Sequence, residues 1–371
     1  MGMVAGNSQK SETDQKNHRS YRNHRIETID IAKAITIFCV ILGHTTGNLD
    51  TPLFRRVLYS FHMPLFFLLA GLSVKPKALR SGRAWAAFLY KNLLALMVPY
   101  LIWGLIYAPF SYENLSELLY GSWEALTRMD TLTSLWYLPC FFISRIIVQA
   151  LVTALEYAGV KNVPFWCGIA ALPLLALGLL LPHSENGVFW CADIALAGSS
   201  FILLGIAVRK AYLIMAQQKT SWLILSVLAG AVLFSLGTVF RGSELELSLM
   251  CKSSYGNQLW FLFNSAFGSL TVLALSMLLS RLSRESARPF RVNAVTYIGQ
   301  QTMGIYLLHK PFLQQTMMPV LSELLPEGCP FLAAACIGAG GALLFSIVMC
   351  FVIGKFVPQL LGRFPRNEWA R

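Results

Sequence analysis

The sequence predicts an all-α protein that crosses a membrane about ten times, and its composition, its apolar segments and its charge distribution support this prediction. Of the 371 residues, 56% are hydrophobic and 13% are charged, and the mean hydropathy is +0.56. Soluble domains usually carry about 25% charged residues. The composition therefore indicates a polytopic membrane protein with almost no soluble domain.

Ten apolar segments are each long enough to cross a hydrocarbon core of about 30 Å as an α-helix. They lie at 29–48, 55–74, 87–109, 134–155, 164–182, 189–208, 222–240, 257–280, 296–321 and 331–355. Residues 1–28 are polar and contain no apolar core, which indicates a disordered tail and no cleavable signal peptide. We therefore expect a cytoplasmic tail over 1–28, a ten-helix membrane domain over 29–356 and a basic cytoplasmic tail over 357–371.

The basic residues predict that both ends of the chain lie in the cytoplasm. Most lysines and arginines outside the apolar segments fall in the two tails and in every second connection, whereas most acidic residues fall in the other connections. Basic residues favour the cytoplasmic side of a membrane. The net charge of +12 is therefore a topological signal, and we expect no nucleic-acid partner.

The first apolar segment carries Asp30, Lys33 and His44, which are costly at membrane depth and are therefore candidates for function. His44 follows Lys33 by eleven positions, which is about three helical turns and roughly 16 Å along one helix face. A cation at one end and an imidazole at the other suit a long anionic ligand with proton chemistry at its far end. A structural alternative stays open, in which Lys33 extends to the membrane interface and His44 bonds a neighbouring helix.

Three of the six histidines, His44, His62 and His309, are predicted to lie at similar depth in the outer half of the membrane. Imidazole titrates near neutral pH and therefore suits general acid–base catalysis. Metal binding is the competing interpretation, but no two of these histidines lie three or four residues apart, and no thiolate or carboxylate pairs with them locally. The sequence also contains no GxSxG motif and no P-loop. We therefore expect a base that acts on a hydroxyl of the substrate, without a metal or a covalent intermediate.

Four other residues are candidate ligand contacts, each with a structural alternative. Arg55 and Arg56 lie on the predicted outer side, against the charge rule, and either bind an anionic group or extend to lipid headgroups. Arg145 lies within the fourth segment and contacts either a ligand or an ion-pair partner. Asp193 lies near the outer side, where it contacts either hydroxyls of an acceptor or solvent.

Local features of the second segment and of the cysteines lead to further expectations. Pro64 is predicted to kink its helix and free a backbone carbonyl near His62, and Gly71 to permit close helix contact. The eight cysteines form no CxxC pair. Cys251 and Cys329 fall in predicted external connections, where either a disulfide or two free thiols fit.

Four stretches, in this order along the chain, resemble the acyltransferase-3 family of integral membrane O-acyltransferases. They are DIAKAITIFCVILGHT from Asp30, SFHMPLFFLLAGL from Ser60, LWYLPCFF from Leu135 and GIYLLHKPF from Gly304. The first matches the family's pattern of a basic residue, ten residues and a histidine, with Lys33 where many members have arginine. The chain is most similar to the short, fucose 4-O-acetylase-like branch without an appended soluble domain.

The resemblance implies a ten-helix enzyme that moves an acyl group, usually acetyl, from cytoplasmic acyl-CoA to a sugar hydroxyl on the far side of the membrane. It implies that His44 is the catalytic residue and that Lys33 belongs to the donor path. We expect Arg145 to assist with the donor, His62 and His309 to assist with catalysis, and Arg55, Arg56, Asp193 and Trp136 to contact the acceptor. The expected partners are acetyl-CoA or another acyl-CoA, a cell-envelope carbohydrate and the lipid bilayer of a bacterial cell membrane.

Two other function classes fit the same pattern. Ten spans with buried charges and histidines would also serve a proton-coupled transporter or exporter of a small solute. Two inverted repeats would favour transport, and the sequence shows no internal repeat. A non-catalytic membrane scaffold is the third class. The sequence leaves the acceptor, the acyl chain length and the oligomeric state open.

Overall fold

The computed structural model describes residues 27–45, 52–75, 77–129, 132–181, 184–239, 247–285, 290–325 and 330–364. These residues form helices and short connections, and their only paired extended residues are an isolated bridge between Leu249 and Ser254. The predicted all-α class is thereby confirmed. The predicted tail over 1–28 lies almost wholly outside the described residues.

The helices are α1 (Glu27–Thr45), α2 (Pro52–Tyr59), α3 (His62–Ser73), α4 (Gly82–Asn92), α5 (Val98–Tyr107), α6 (Tyr112–Tyr120), α7 (Trp123–Arg128), α8 (Tyr137–Tyr157), α9 (Val163–Leu180), α10 (Ala192–Met215), α11 (Thr220–Val239), α12 (Gln258–Glu285), α13 (Phe290–Gln300), α14 (Thr302–Phe312), α15 (Met318–Leu324) and α16 (Phe331–Phe356). One π-helical turn, Leu93–Met97, joins α4 to α5, and another, Leu313–Met317, joins α14 to α15. A 3₁₀ turn, Thr133–Trp136, leads into α8.

Within the described residues, nine helical segments are long and apolar enough to cross a membrane. They overlap nine of the ten segments predicted from the sequence, the exception being 296–321. That segment is a broken helix, because the chain turns at Gln301 before α14 continues through a π-helical turn into α15. Its run of buried residues includes His309 and Lys310, so its polar side chains are shielded by neighbouring helices and need not face lipid. The count of ten spans and the sidedness of the chain ends stay predictions.

Helix α10 is the centre of the bundle and packs on α9, α3 and α8. Its Gly205 faces Gly71 of α3, and a Cβ built at Gly71 would lie 2.0 Å from the carbonyl oxygen of Ile202. Only glycine permits this approach of two backbones. The close contact predicted at Gly71 is therefore confirmed, and it anchors α3 against the core.

The second span is interrupted between α2 and α3, as Pro64 predicts. Proline lacks the amide hydrogen that would bond the carbonyl of Ser60, four residues earlier. The Ser265 hydroxyl of α12 donates to that carbonyl instead, at 2.8 Å. The break places His62 at the first position of α3, with its side chain buried.

A second proline has a similar effect in α14. Pro311 removes the amide hydrogen that would bond the carbonyl of Leu307, and the hydroxyl of Tyr107 donates to this carbonyl at 3.0 Å. The π-helical turn follows directly after it. Such turns are frequent at functional sites.

Candidate active site

One face of α1 lines two interior cavities in succession. Lys33, Ile37 and Val40 line the first cavity, and Val40, Gly43 and His44 line the second. These positions recur every three or four residues, which is the spacing of one helical face. Lys33 and His44 therefore both face the interior, as their spacing predicts.

A face of α14 runs beside it in the same direction. Thr302, Met303 and Tyr306 line the first cavity, and Tyr306 and Lys310 line the second together with Gln314 of the π-helical turn that follows α14. The two helices meet directly, because the ring centroids of His44 and His309 lie 5.3 Å apart. A polar face of each helix thus follows one path through the bundle.

The first cavity, here called the basic cavity, has a volume of about 690 Å³. Its polar wall contains Lys33, Lys75, Lys77 and Arg145, whereas most of its other lining residues are apolar. Cavities of roughly 300–1,000 Å³ hold small-molecule ligands. The basic cavity suits a ligand with an anionic end and a long, less polar arm.

The second cavity, here called the histidine cavity, has a volume of about 300 Å³. His44 and His62 line it together with Arg55, Lys252 and Lys310, and the aromatic residues Tyr59, Trp123 and Trp136 complete much of its wall. Aromatic rings beside polar groups suit a ring-shaped ligand with hydroxyls. His309 is fully buried behind His44 and is not part of this wall.

Val40, Met63 and Tyr306 line both cavities and therefore form the wall where the two meet. They come from α1, α3 and α14. A ligand arm that reaches from the basic cavity towards His44 passes these three side chains.

Hydrogen bonds to backbone carbonyls fix the proton positions of two histidines. The Nδ1 atom of His62 lies 2.5 Å from the Leu58 carbonyl oxygen, and that of His309 lies 3.0 Å and 2.9 Å from the Ile305 and Tyr306 oxygens. Because a carbonyl only accepts, Nδ1 carries the hydrogen in both rings. Nε2 of each neutral ring is then an acceptor, and Nε2 of His309 is buried without a partner among the described residues.

Lys33 is held in place by a buried carboxylate. Its ammonium lies 3.4 Å from Oδ1 of Asp30, and the Gln300 amide donates to Oδ2 at 3.2 Å. The Asp30 side chain is 6% exposed and that of Lys33 28% exposed. Lys33 therefore keeps part of its surface in the basic cavity while Asp30 restrains it.

Two cations of the histidine cavity are stacked on aromatic rings. The Arg55 guanidinium lies 5.3 Å from the Tyr59 ring centroid, and the Lys252 ammonium lies 4.4 Å from that of Trp123. Nε of Arg55 is buried without a hydrogen-bond partner among the described residues. Lys310, which is 5% exposed, donates to the hydroxyl of Thr133.

Of the four remaining predicted site residues, two line a cavity and two do not. Trp136 lines the histidine cavity, and Arg145 lines the basic cavity with its guanidinium 5.8 Å from the Phe141 ring centroid. Arg56 and Asp193 line neither cavity, and the Asp193 carboxylate instead accepts a hydrogen bond from Ser253 at 2.9 Å. Their contact with an acceptor stays a prediction.

Two predictions about cysteines and metals are not tested. Cys329 lies outside the described residues, so its pairing with Cys251 stays a prediction. Within the described ranges, no group of three His, Cys, Asp or Glu side chains is arranged to hold a metal ion. The metal-free site therefore also stays a prediction.

Sequence reasoning missed Tyr306, Lys310 and Thr133 as wall residues of the histidine cavity. The spacing of Tyr306, Lys310 and Gln314 at intervals of four indicates one continuous helical face through α14 and the turn after it, and was the available signal. Thr133 offered no such signal, because its contact with Lys310 spans 177 residues of sequence.

Comparison with known proteins agrees with the resemblance in the motifs. Residues 26–351 match the family Acyl_transf_3, described as an acyltransferase domain. The chain is also similar to the nodulation protein NolL of Mesorhizobium japonicum, at 28% identity over 200 residues, which cover 45% of this chain and 52% of that protein. The aligned region thus spans about half of the relative's length. No solved structure gives a significant match. The chain therefore belongs to the acyltransferase-3 family of enzymes.

Proposed function

We propose that this protein transfers an acyl group, in the first instance acetyl, from acyl-CoA to a hydroxyl of a cell-envelope carbohydrate across the membrane. The observation that carries the proposal is the face of α1, on which Lys33 opens into the basic cavity and His44 into the histidine cavity. The family membership supports acyl transfer. The two meeting cavities support a donor and an acceptor that approach from opposite ends.

The basic cavity is the proposed donor site. Lys33, Lys75 and Lys77 bring positive charge to one end of it, and Arg145 adds a guanidinium. Ammonium and guanidinium groups both bind phosphate, as charge-assisted donors. Acyl-CoA then lies with its phosphates among these cations and its thioester arm pointing along α1 towards His44. The sidedness predicted from charge makes this end cytoplasmic.

The histidine cavity is the proposed acceptor site. Trp123 and Trp136 offer apolar faces to a sugar ring, and Arg55 offers a buried guanidinium hydrogen that has no partner among the described residues. An acidic group on the acceptor would satisfy this donor. The volume of about 300 Å³ suits a single sugar unit of a longer glycan.

His44 is the proposed general base. It removes the proton of the acceptor hydroxyl as the hydroxyl oxygen attacks the carbonyl carbon of the thioester. A bond forms between this oxygen and the acyl carbon, and the carbon–sulfur bond then breaks. The coenzyme A thiolate leaves and receives the proton from His44. Because the acyl group passes directly from the coenzyme A sulfur to the acceptor oxygen, no acyl-enzyme is required.

His309 is proposed to assist His44 through its position. Its Nδ1 hydrogen is committed to two carbonyls, so its buried Nε2 is an acceptor whose ring lies 5.3 Å from that of His44. Nε2 can accept an N–H of His44 when that ring becomes cationic, which stabilises the charge. A carboxylate often has this role for a catalytic histidine.

The proposal is tested by mass spectrometry of envelope glycans from cells that express wild-type protein or variants. His44→Ala is expected to remove the mass of one acyl substituent that the wild type adds. Ile35→Ala is the matched control, since Ile35 lies on α1 outside both cavities. Acylation by His44→Ala at the wild-type level would reject His44 as the base, and no acylation by the wild type would reject the function.

Transport of a small solute is the second candidate function. Two cavities that share a wall also fit a path with alternating access. Uptake of a solute into vesicles that contain the purified protein, without any acyl-CoA, would favour transport. Acyl transfer predicts thiol release from acyl-CoA in the same vesicles.

A further inference from the structure

Attack on a thioester places negative charge on the carbonyl oxygen, and a donor must meet this charge where it develops. The proposed reaction joins the thioester arm in the basic cavity to the hydroxyl in the histidine cavity. The reacting carbonyl therefore lies at the wall that the two cavities share. The residues of this wall, Val40, Met63 and Tyr306, are the first candidates for a donor.

Tyr306 carries the one hydrogen-bond donor among these three side chains. The residue is 9% exposed, and its buried hydroxyl forms no well-aligned hydrogen bond among the described residues; the Tyr137 backbone lies close enough to interact with the hydroxyl oxygen, which leaves the hydroxyl hydrogen free to donate. A buried hydroxyl without a partner costs free energy, so such groups are rare unless a ligand completes them. The unpartnered hydroxyl lies on a side chain that lines both cavities.

The Tyr306 ring is held by its neighbours. Its centroid lies 5.7 Å from that of Tyr137 and 6.2 Å from that of His309, and the contact with Tyr137 is edge to face. Tyr306 also precedes Lys310 by one turn of α14, and both line the histidine cavity. These contacts restrain the Tyr306 ring and therefore hold its hydroxyl in one place, as a preorganised donor requires.

The nearby histidines do not supply this donor in their neutral forms. His62 and His309 each use the Nδ1 hydrogen on a backbone carbonyl, which leaves Nε2 as an acceptor. His44 is assigned to the acceptor hydroxyl. Lys310 donates to Thr133 and contributes its charge at the edge of the same cavity.

We propose that the Tyr306 hydroxyl donates a hydrogen bond to the thioester carbonyl oxygen and forms the oxyanion-binding site of the reaction. The proposal rests on the proposed acyl transfer. The oxygen gains negative charge as the acceptor oxygen bonds to the acyl carbon, and it returns to a carbonyl as the carbon–sulfur bond breaks. Tyr306 keeps its proton throughout, and the proton of the acceptor moves through His44 to the thiolate.

Tyr306→Phe tests the proposal in purified protein reconstituted in vesicles. The donor is acetyl-CoA, the acceptor is the glycan fraction of cells that lack this protein, and the release of free thiol is measured. We expect kcat to fall about 100-fold, because the loss of one oxyanion donor costs about that much or more. The KM for acetyl-CoA is expected to change by less than about threefold, since the bond strengthens only as charge develops.

Tyr107→Phe is the matched control. Its hydroxyl also belongs to the surroundings of α14, but it donates to the Leu307 carbonyl at 3.0 Å and lines neither cavity. This variant is expected to keep kcat within about twofold and to lower the melting temperature, because a carbonyl loses its partner. Tyr306→Phe is expected to leave the melting temperature unchanged or to raise it.

Two unreactive donor analogues give a second readout. One replaces the thioester sulfur by a methylene group and keeps the carbonyl, and the other lacks the carbonyl oxygen. Wild-type protein is expected to bind the first more tightly than the second by about two- to threefold, the lower end of the effect of one neutral hydrogen bond, because the bond strengthens only as charge develops. Tyr306→Phe is expected to bind both with equal affinity.

The outcomes separate this proposal from the proposed function. A Tyr306→Phe protein with the wild-type kcat would overturn the oxyanion role while acyl transfer stands. So would a variant that keeps the wild-type preference for the analogue with the carbonyl. A variant that fails to fold would also overturn it, because the hydroxyl would then have a structural partner. Absence of thiol release from the wild type would overturn acyl transfer itself.

Discussion

Replacement of Lys33, near the N-terminal end of α1, tests whether its ammonium group binds the acyl-CoA donor. Lys33→Ala removes an ammonium that lies in the wall of the basic cavity and is held 3.4 Å from Asp30. A charge-assisted hydrogen bond contributes about 1.5–3 kcal/mol. The side chain is 28% exposed, so solvent reduces this contribution towards the lower limit. A loss of about 1.5 kcal/mol corresponds to an approximately tenfold higher Kd for coenzyme A.

The measurement is direct titration of coenzyme A into the detergent-solubilised protein by calorimetry, which needs no acceptor. Lys219→Ala removes the same charge from an exposed position before α11 that lines neither cavity, and it is expected to leave Kd unchanged. The effect of Lys33→Ala is expected to shrink as salt is raised, because ions screen partly exposed charges.

The Lys33→Ala variant has a second effect, because it leaves the Asp30 carboxylate without its cation. Without Lys33 the buried carboxylate keeps a hydrogen bond from Gln300 at 3.2 Å, but it leaves negative charge close to the bound phosphates. We therefore compare Asp30→Asn with the double variant Asp30→Asn/Lys33→Ala. Phosphate binding by Lys33 predicts weaker binding by the double variant. Equal affinity of these two proteins would refute the reasoning, since Lys33 would then only neutralise Asp30.

Three further predictions concern other parts of the molecule. Arg55→Gln is expected to raise the KM of an acidic acceptor about tenfold and leave the Kd of coenzyme A unchanged, as measured by thiol release and calorimetry, because its unpartnered Nε lies beside the histidine cavity; a change in donor affinity alone would contradict this assignment. His309→Leu is expected to lower kcat about 10- to 100-fold without weakening coenzyme A binding, since positioned acid–base groups contribute on that scale; unchanged kcat would reject its support of His44. Gly71→Val is expected to abolish folded protein in size-exclusion chromatography, because its Cβ would lie 2.0 Å from a carbonyl oxygen of α10, whereas Gly340→Ala, with open space around it, is expected to elute as the wild type; normal elution of Gly71→Val would contradict the tight α3–α10 contact.

The face of α1 was predictable because it depends only on local geometry. The positions of Lys33 and His44 follow from helical periodicity, and no knowledge of neighbouring helices is needed. The backbone effect of Pro64 was predictable for the same reason, since the missing amide hydrogen acts four residues away along the same chain. The partner that satisfies the freed carbonyl, Ser265, was not predictable from local sequence.

The segment 296–321 shows the limit of apolar length as a signal. A hydropathy reading treats each helix as if lipid surrounded it. The residues from Gly304 to Pro311 are buried by other helices, so polar side chains such as Lys310 face the interior path. Whether a polar residue faces lipid or a neighbouring helix depends on tertiary packing, and the sequence alone does not contain that information.

The wall between the two cavities depends on the same packing. Val40, Met63 and Tyr306 lie in three different helices, and although each belongs to a stretch that resembles the family, nothing local indicates that the three side chains meet. The depth argument placed His44, His62 and His309 in one layer, but it did not distinguish a wall residue from one buried behind it. The tertiary structure makes that distinction, because His44 and His62 line the histidine cavity whereas His309 is fully buried against His44.

The polar residues of this protein are concentrated where two helices face each other, and this arrangement explains both the weak apolar character of α14 and the path through the bundle. Ionisable groups in a membrane are costly unless they pair or line a cavity. Lys33 is paired with Asp30, Lys310 bonds Thr133, and His309 bonds two carbonyls of its own helix. Along the path, the Tyr306 hydroxyl, Nε2 of His309 and Nε of Arg55 are buried without a well-aligned hydrogen bond among the described residues, and several buried polar atoms elsewhere share this property. What distinguishes the atoms along the path is their place beside the two cavities, where the proposed acyl transfer would supply a carbonyl oxygen to the Tyr306 hydroxyl and an N–H of cationic His44 to Nε2 of His309.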